Sequence, residues 1–75
     1  MTATERISSL VEPSLMDRIP SFVRAHAAEG VAKLVSREHP DLYAEASGEM
    51  SPESEARLRE IVNGVYRTRM KKHGL

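Results

Sequence analysis

The strongest constraint on the fold of this chain is a helix start at Ser51, Pro52 and Glu53. A serine hydroxyl can accept a hydrogen bond from a free N–H of the first turn, proline fits the first helical position, and an acid there complements the helix dipole. Apolar residues then recur every three or four positions, at Leu58, Ile61, Val62, Val65 and Tyr66. This spacing predicts one face of a helix over about 51–72.

The pair Asn63-Gly64 lies in the middle of this predicted helix. Between two extended segments such a pair indicates a β-hairpin. The apolar spacing of three and four continues across the pair, and the residues before it show no strand alternation, so we favour a continuous helix. An interior glycine costs a helix about 1 kcal/mol relative to alanine. Either close packing of a neighbour or a local bend would account for it.

A second main helix is predicted over about 21–38. Its apolar and small residues lie within one arc at 100° per residue, whereas His26, Glu29, Lys33 and Arg37 lie opposite. The sequence His39-Pro40 ends this helix, because a residue before proline is disfavoured in the α region. Small residues at 27, 28 and 30 allow close approach of another helix, from this chain or from a second copy.

The N-terminal segment is divided into short helices by Pro13 and Pro20. Thr2 and Glu5 have the spacing of a capping box at the start of the first one. We therefore predict an all-α fold, a small helical bundle with two main helices at about 21–38 and 51–72 and short N-terminal helices. The whole chain, 1–75, is expected to form a single helical domain.

The size of the chain favours self-association. On folding, a domain of 75 residues buries a smaller share of the surface of its unfolded chain than a larger domain does. Without cysteine it also has no disulfide to stabilise it. We expect a homodimer. No apolar run is long enough to span a membrane, and the N-terminus lacks the pattern of a signal peptide, so we expect a cytoplasmic protein with no membrane partner.

No sequence motif indicates catalysis. The chain has no cysteine nucleophile, no phosphate-binding loop and no glycine-rich dinucleotide turn. Its three histidines are spread along the sequence without the spacing of metal ligands. We therefore expect no enzyme activity, no catalytic residue, no metal or cofactor and no small-molecule substrate.

The charges of the last helix are strongly divided. Acids precede it and open it, whereas bases, including Arg67, Arg69, Lys71 and Lys72, follow toward its end. This order stabilises the helix dipole and has a purely structural explanation. It also fits a surface that contacts a polyanion or an acidic protein. The formal net charge of zero argues against a dedicated nucleic-acid binder.

Apolar residues complete the candidate partner-binding set. Phe22 lies off the apolar arc of its helix, and Leu42 and Tyr43 anchor a short predicted turn, so these residues are candidates for an exposed contact surface. The most plausible function is a small non-enzymatic regulatory or accessory module that acts by protein–protein interaction and associates with itself. The alternative is a nucleic-acid-binding regulator that uses the basic end of the last helix.

Overall fold

Five α-helices and one 3₁₀ turn form the fold in this computed structural model, which describes residues 2–74. The α-helices are α1 (Ala3–Ser9), α2 (Pro13–Met16), α3 (Arg24–Glu38), α4 (Pro40–Ala46) and α5 (Pro52–Lys72), and the 3₁₀ turn covers Ser21–Val23. No strand occurs within this range. The all-α class, the two main helices and the short N-terminal helices are confirmed. The predicted domain 1–75 also includes Met1 and Leu75, which lie outside the described residues.

The local signals in the sequence act as expected at most helix ends. The Ser51 hydroxyl accepts from the Ser54 amide at 3.1 Å. Thr2 and Glu5 form the complete capping box of α1. The second main helix differs slightly from its prediction, because residues 21–23 form a 3₁₀ turn before α3 begins at Arg24. Such tighter turns are frequent at the N-termini of α-helices.

Helix α5 is continuous and organises the bundle. Its 21 residues extend for about 30 Å, close to the 33 Å longest dimension of the molecule. The helix runs through Asn63 and Gly64 without a break, so the hairpin alternative is wrong. Its inner face meets side chains from α1, α3 and α4, and the largest fully buried side chains of this core are Ile7, Val31, Val35, Leu58 and Val62.

Among residues 2–74, Asn63 is the only buried residue outside the hydrophobic types. Its Oδ1 accepts from the Glu12 amide at 2.7 Å, and its Nδ2 donates to the carbonyl oxygens of Leu10 at 2.9 Å and Arg59 at 2.8 Å. Glu12 and Leu10 belong to the connection between α1 and α2, where backbone groups lack helical partners. One carboxamide therefore attaches this connection to α5.

Two further polar contacts position α4. The Arg6 side chain donates to the carbonyl oxygens of Ala46 at 2.8 Å and Gly48 at 2.7 Å, which satisfies acceptors at the C-terminal end of α4. The Ser54 hydroxyl donates to the Glu45 carboxylate at 3.1 Å. These bonds connect α4 to α1 on one side and to the first turn of α5 on the other.

Replacement of Asn63 should therefore be costly. Asn63→Ala removes three hydrogen bonds and leaves the Glu12 amide and the Leu10 carbonyl without their partner. Because a buried unsatisfied group costs about 1–3 kcal/mol, we expect a loss of about 2–4 kcal/mol in the free energy of unfolding, measured by urea denaturation. The control Thr68→Ala, at an exposed position of the same helix, should change it by less than about 0.5 kcal/mol. Equal effects of the two substitutions would contradict this role of Asn63.

Candidate functional site

A cleft opens between α3 and the C-terminal half of α5. Its volume is about 400 Å³, within the range of small-molecule sites. Apolar side chains and one glycine form most of its wall: Ile19, Val23, Ala27, Gly30, Val31 and Met70. The remaining lining residues are polar and are His26, Tyr66, Arg69 and His73. We call this space the α3–α5 cleft.

Gly30 and Arg69 meet across this cleft. A Cβ atom built on Gly30 would lie 2.8 Å from Nη1 of Arg69, so the guanidinium occupies space that any side chain at position 30 would need. Arg69 is half-buried and has no hydrogen bond or ion pair to any residue in the range 2–74.

The Tyr66 side chain carries the buried hydroxyl of the cleft. Tyr66 is 2% exposed, and its hydroxyl oxygen has no hydrogen-bond partner among the described residues. Burial raises the pKa of the phenol, because the charged phenolate is poorly solvated there, and the nearby Arg69 charge opposes this effect more weakly. Arg69 follows Tyr66 by three positions, so the two side chains project from the same face of α5.

A second depression, with a volume of about 430 Å³, lies elsewhere along the same pair of helices. Its floor contains half-buried aliphatic side chains and a glycine: Leu34, Ile61, Gly64 and Val65. Glu60, Thr68 and Arg69 complete its lining. Apart from the adjacent residues and the backbone of α5 itself, no atom of residues 2–74 lies within 4 Å of a Cβ built on Gly64, so packing among these residues does not require a glycine there. We call this depression the α5 groove.

The basic residues at the end of α5 do not form one patch of equivalent charges. Arg67 donates to the Glu12 carboxylate at 2.7 Å in an exposed ion pair, and Arg69 lies at the cleft. Lys71 and Lys72 are exposed in the last turn. The structure therefore separates Arg67 and Arg69 from the lysines with which the sequence grouped them.

The apolar candidates also differ in their surroundings. Phe22 is 86% exposed, which makes it the one large hydrophobic residue on the surface of the described chain. Tyr43 is half-buried against the core, and Leu42 is buried within it. The side chain of Leu42 therefore packs inside the fold.

The sequence reasoning missed the grouping of His26 and His73. They are 47 positions apart and lack ligand spacing, yet both line the α3–α5 cleft. The packing of α3 beside the C-terminal end of α5 brings them together. A tertiary arrangement of this kind leaves no local sequence signal. Within residues 2–74 no three histidine or acidic side chains are grouped as metal ligands would be.

No protein family, curated protein or solved structure matches this chain. Across residues 2–74, no helix combines the length and apolar content needed to cross a bilayer.

The buried phenol of Tyr66 predicts a specific loss of stability in alkali. Its folded pKa is raised above the unfolded value of about 10, so its contribution is fully present below that pH and is lost as the pH rises toward the folded pKa. Urea denaturation between about pH 9 and pH 11 should show a smaller decrease in the free energy of unfolding for Tyr66→Phe than for the wild type. Tyr43→Phe, which keeps Tyr66, should retain the wild-type decrease. Identical pH profiles for Tyr66→Phe and the wild type would contradict the burial of this phenol.

Proposed function

We propose that this protein is a small non-enzymatic regulatory or accessory module that acts by protein–protein interaction and associates with itself through the α5 groove. The observation that carries this proposal is Gly64. A glycine in a helix interior costs about 1 kcal/mol relative to alanine, and among residues 2–74 no neighbouring element occupies the space that the missing side chain leaves. A second molecule that approaches α5 closely would account for both.

The residues around Gly64 have the chemistry of a contact surface. Ile61 and Val65 flank it on the same face of α5, and Leu34 of α3 borders it. All three are only half-buried, although the same aliphatic types fill the core. Their remaining exposure is apolar area that association would remove from water, at about 25 cal/mol for each Å².

A second copy of the chain is the occupant that we propose, because the groove has a recess at Gly64 directly beside the aliphatic side chain of Val65. A symmetric dimer uses the same surface on both subunits, so each projection needs a matching recess related by the two-fold axis. An antiparallel pair of α5 helices with its axis between positions 64 and 65 would place Val65 of each copy over Gly64 of the other. The small size of the chain and the absence of cysteine make such stabilisation by a partner useful.

The variant Gly64→Leu tests this interface directly. The site is open within the monomer and leucine favours helix, so the fold should be retained while the bulk blocks the approach of a second α5. In sedimentation equilibrium the wild type should associate at high micromolar concentration, whereas Gly64→Leu should remain monomeric. Circular dichroism should show equal helix content for both.

Two controls locate the interface. Ala56→Leu adds similar bulk at an exposed position of α5 outside the groove, and Phe22→Ala removes the exposed aromatic ring. Both variants should associate like the wild type. A wild type that stays monomeric would refute self-association, and dissociation caused by Phe22→Ala but not by Gly64→Leu would assign the contact to the surface around Phe22.

The second candidate function, nucleic-acid binding by the basic end of α5, is supported by the exposure of Lys71 and Lys72. The ion pair of Arg67 with Glu12 and the zero net charge weigh against it. Fluorescence anisotropy with mixed DNA and RNA should therefore show no tight binding at low salt. Binding that falls steeply with salt, because released counterions drive it, and that is lost in Arg67→Ala/Lys71→Ala would establish this candidate instead.

A further inference from the structure

The polar side chains that line the α3–α5 cleft can all donate hydrogen bonds. None of its lining residues is acidic, whereas Arg69 is a permanent cation and the Tyr66 hydroxyl can donate a hydrogen bond. His26 and His73 add two imidazoles that can also donate. An occupant that carries a negative charge would meet donors and no opposing carboxylate within this lining.

Two of these groups lack partners within the described chain. The buried Tyr66 hydroxyl has no hydrogen bond, which is an unfavourable state for a buried polar group. The Arg69 guanidinium has neither an ion pair nor a hydrogen bond among residues 2–74, whereas Arg67, two positions earlier, is paired with Glu12. The Tyr66 oxygen is enclosed, whereas an anionic acceptor in the cleft would pair with the Arg69 guanidinium.

Gly30 contributes to this arrangement. It allows the Arg69 guanidinium to lie against the backbone of α3, at a position where an alanine Cβ would be 2.8 Å from Nη1. A planar guanidinium presents parallel N–H groups that match a carboxylate. The apolar wall formed by residues such as Val23, Ala27 and Met70 matches a hydrocarbon body attached to that carboxylate.

We propose that the α3–α5 cleft binds a small carboxylic acid with an aliphatic body, whose carboxylate pairs with the Arg69 guanidinium. The hydrocarbon part lies among the apolar side chains of the wall. This site is additional to the interaction function. Arg69 borders both the cleft and the α5 groove, whereas Ile61, Gly64 and Val65 of the groove are not part of the cleft lining.

The probe is octanoate, with 1-octanol and octylammonium as neutral and cationic molecules of similar apolar length. Isothermal titration calorimetry and ¹H–¹⁵N NMR titration of the full chain should show octanoate binding at least about ten-fold tighter than either control. The shifted amides should belong to α3 and to the C-terminal half of α5. Octanoate that binds no tighter than 1-octanol, or shifts elsewhere on the protein, would overturn the proposal.

Arg69→Gln and Arg67→Gln form a matched pair of variants. Arg69→Gln should weaken octanoate binding by about ten-fold or more and leave 1-octanol binding unchanged, whereas Arg67→Gln should retain wild-type affinity. Equal effects would assign the affinity to general positive charge and overturn the proposed contact.

Two further measurements distinguish the cleft from the dimer interface and from a peptide-binding site. Gly64→Leu, which blocks the proposed dimer interface, should bind octanoate like the wild type, so failure of self-association leaves the cleft proposal intact. A short peptide that ends in leucine with a free carboxylate should bind more weakly than octanoate. Tighter binding of the peptide would identify a protein C-terminus as the occupant and overturn the assignment to a small acid.

Discussion

The arrangement of the bundle depends on the carboxamide of Asn63. Helices α1 and α2 have seven and four residues, too few to be stable alone in water, so they must be held by tertiary contacts. Asn63 supplies a directional contact by satisfying the Glu12 amide and the Leu10 carbonyl at the point where the chain leaves α1. The apolar side chains of the connection then pack against α5 in a defined register.

Helix α3 is attached in a different way. The polar contacts described above join α5 to the α1–α2 connection and to α4, whereas α3 meets α5 through aliphatic side chains such as Val31 and Val35. Apolar contacts are not directional, and the small side chains on α3 fill little space between the helices. The incomplete filling between these helices leaves the α3–α5 cleft and the α5 groove, where apolar side chains remain partly exposed.

The sequence predicted the helices well because their signals are local. The cap at Ser51, the break at His39-Pro40 and the apolar spacing of α5 each involve residues a few positions apart, and all appear in the structure. The joining of Asn63 to a connection 51 positions earlier could not be predicted in this way. The same is true of the cleft, because the contact of Gly30 with Arg69 and the presence of His26 and His73 in one lining arise only when α3 packs beside α5.

The two glycines in the interiors of the main helices differ in what surrounds them. Each costs its helix about 1 kcal/mol relative to alanine, so each calls for a compensating contact. For Gly30 the contact lies within the chain, because the Arg69 guanidinium fills the space beside it. For Gly64 no such contact exists among residues 2–74, although the surrounding aliphatic side chains are half-exposed. A second molecule at Gly64, as proposed above, would take the place that Arg69 has beside Gly30.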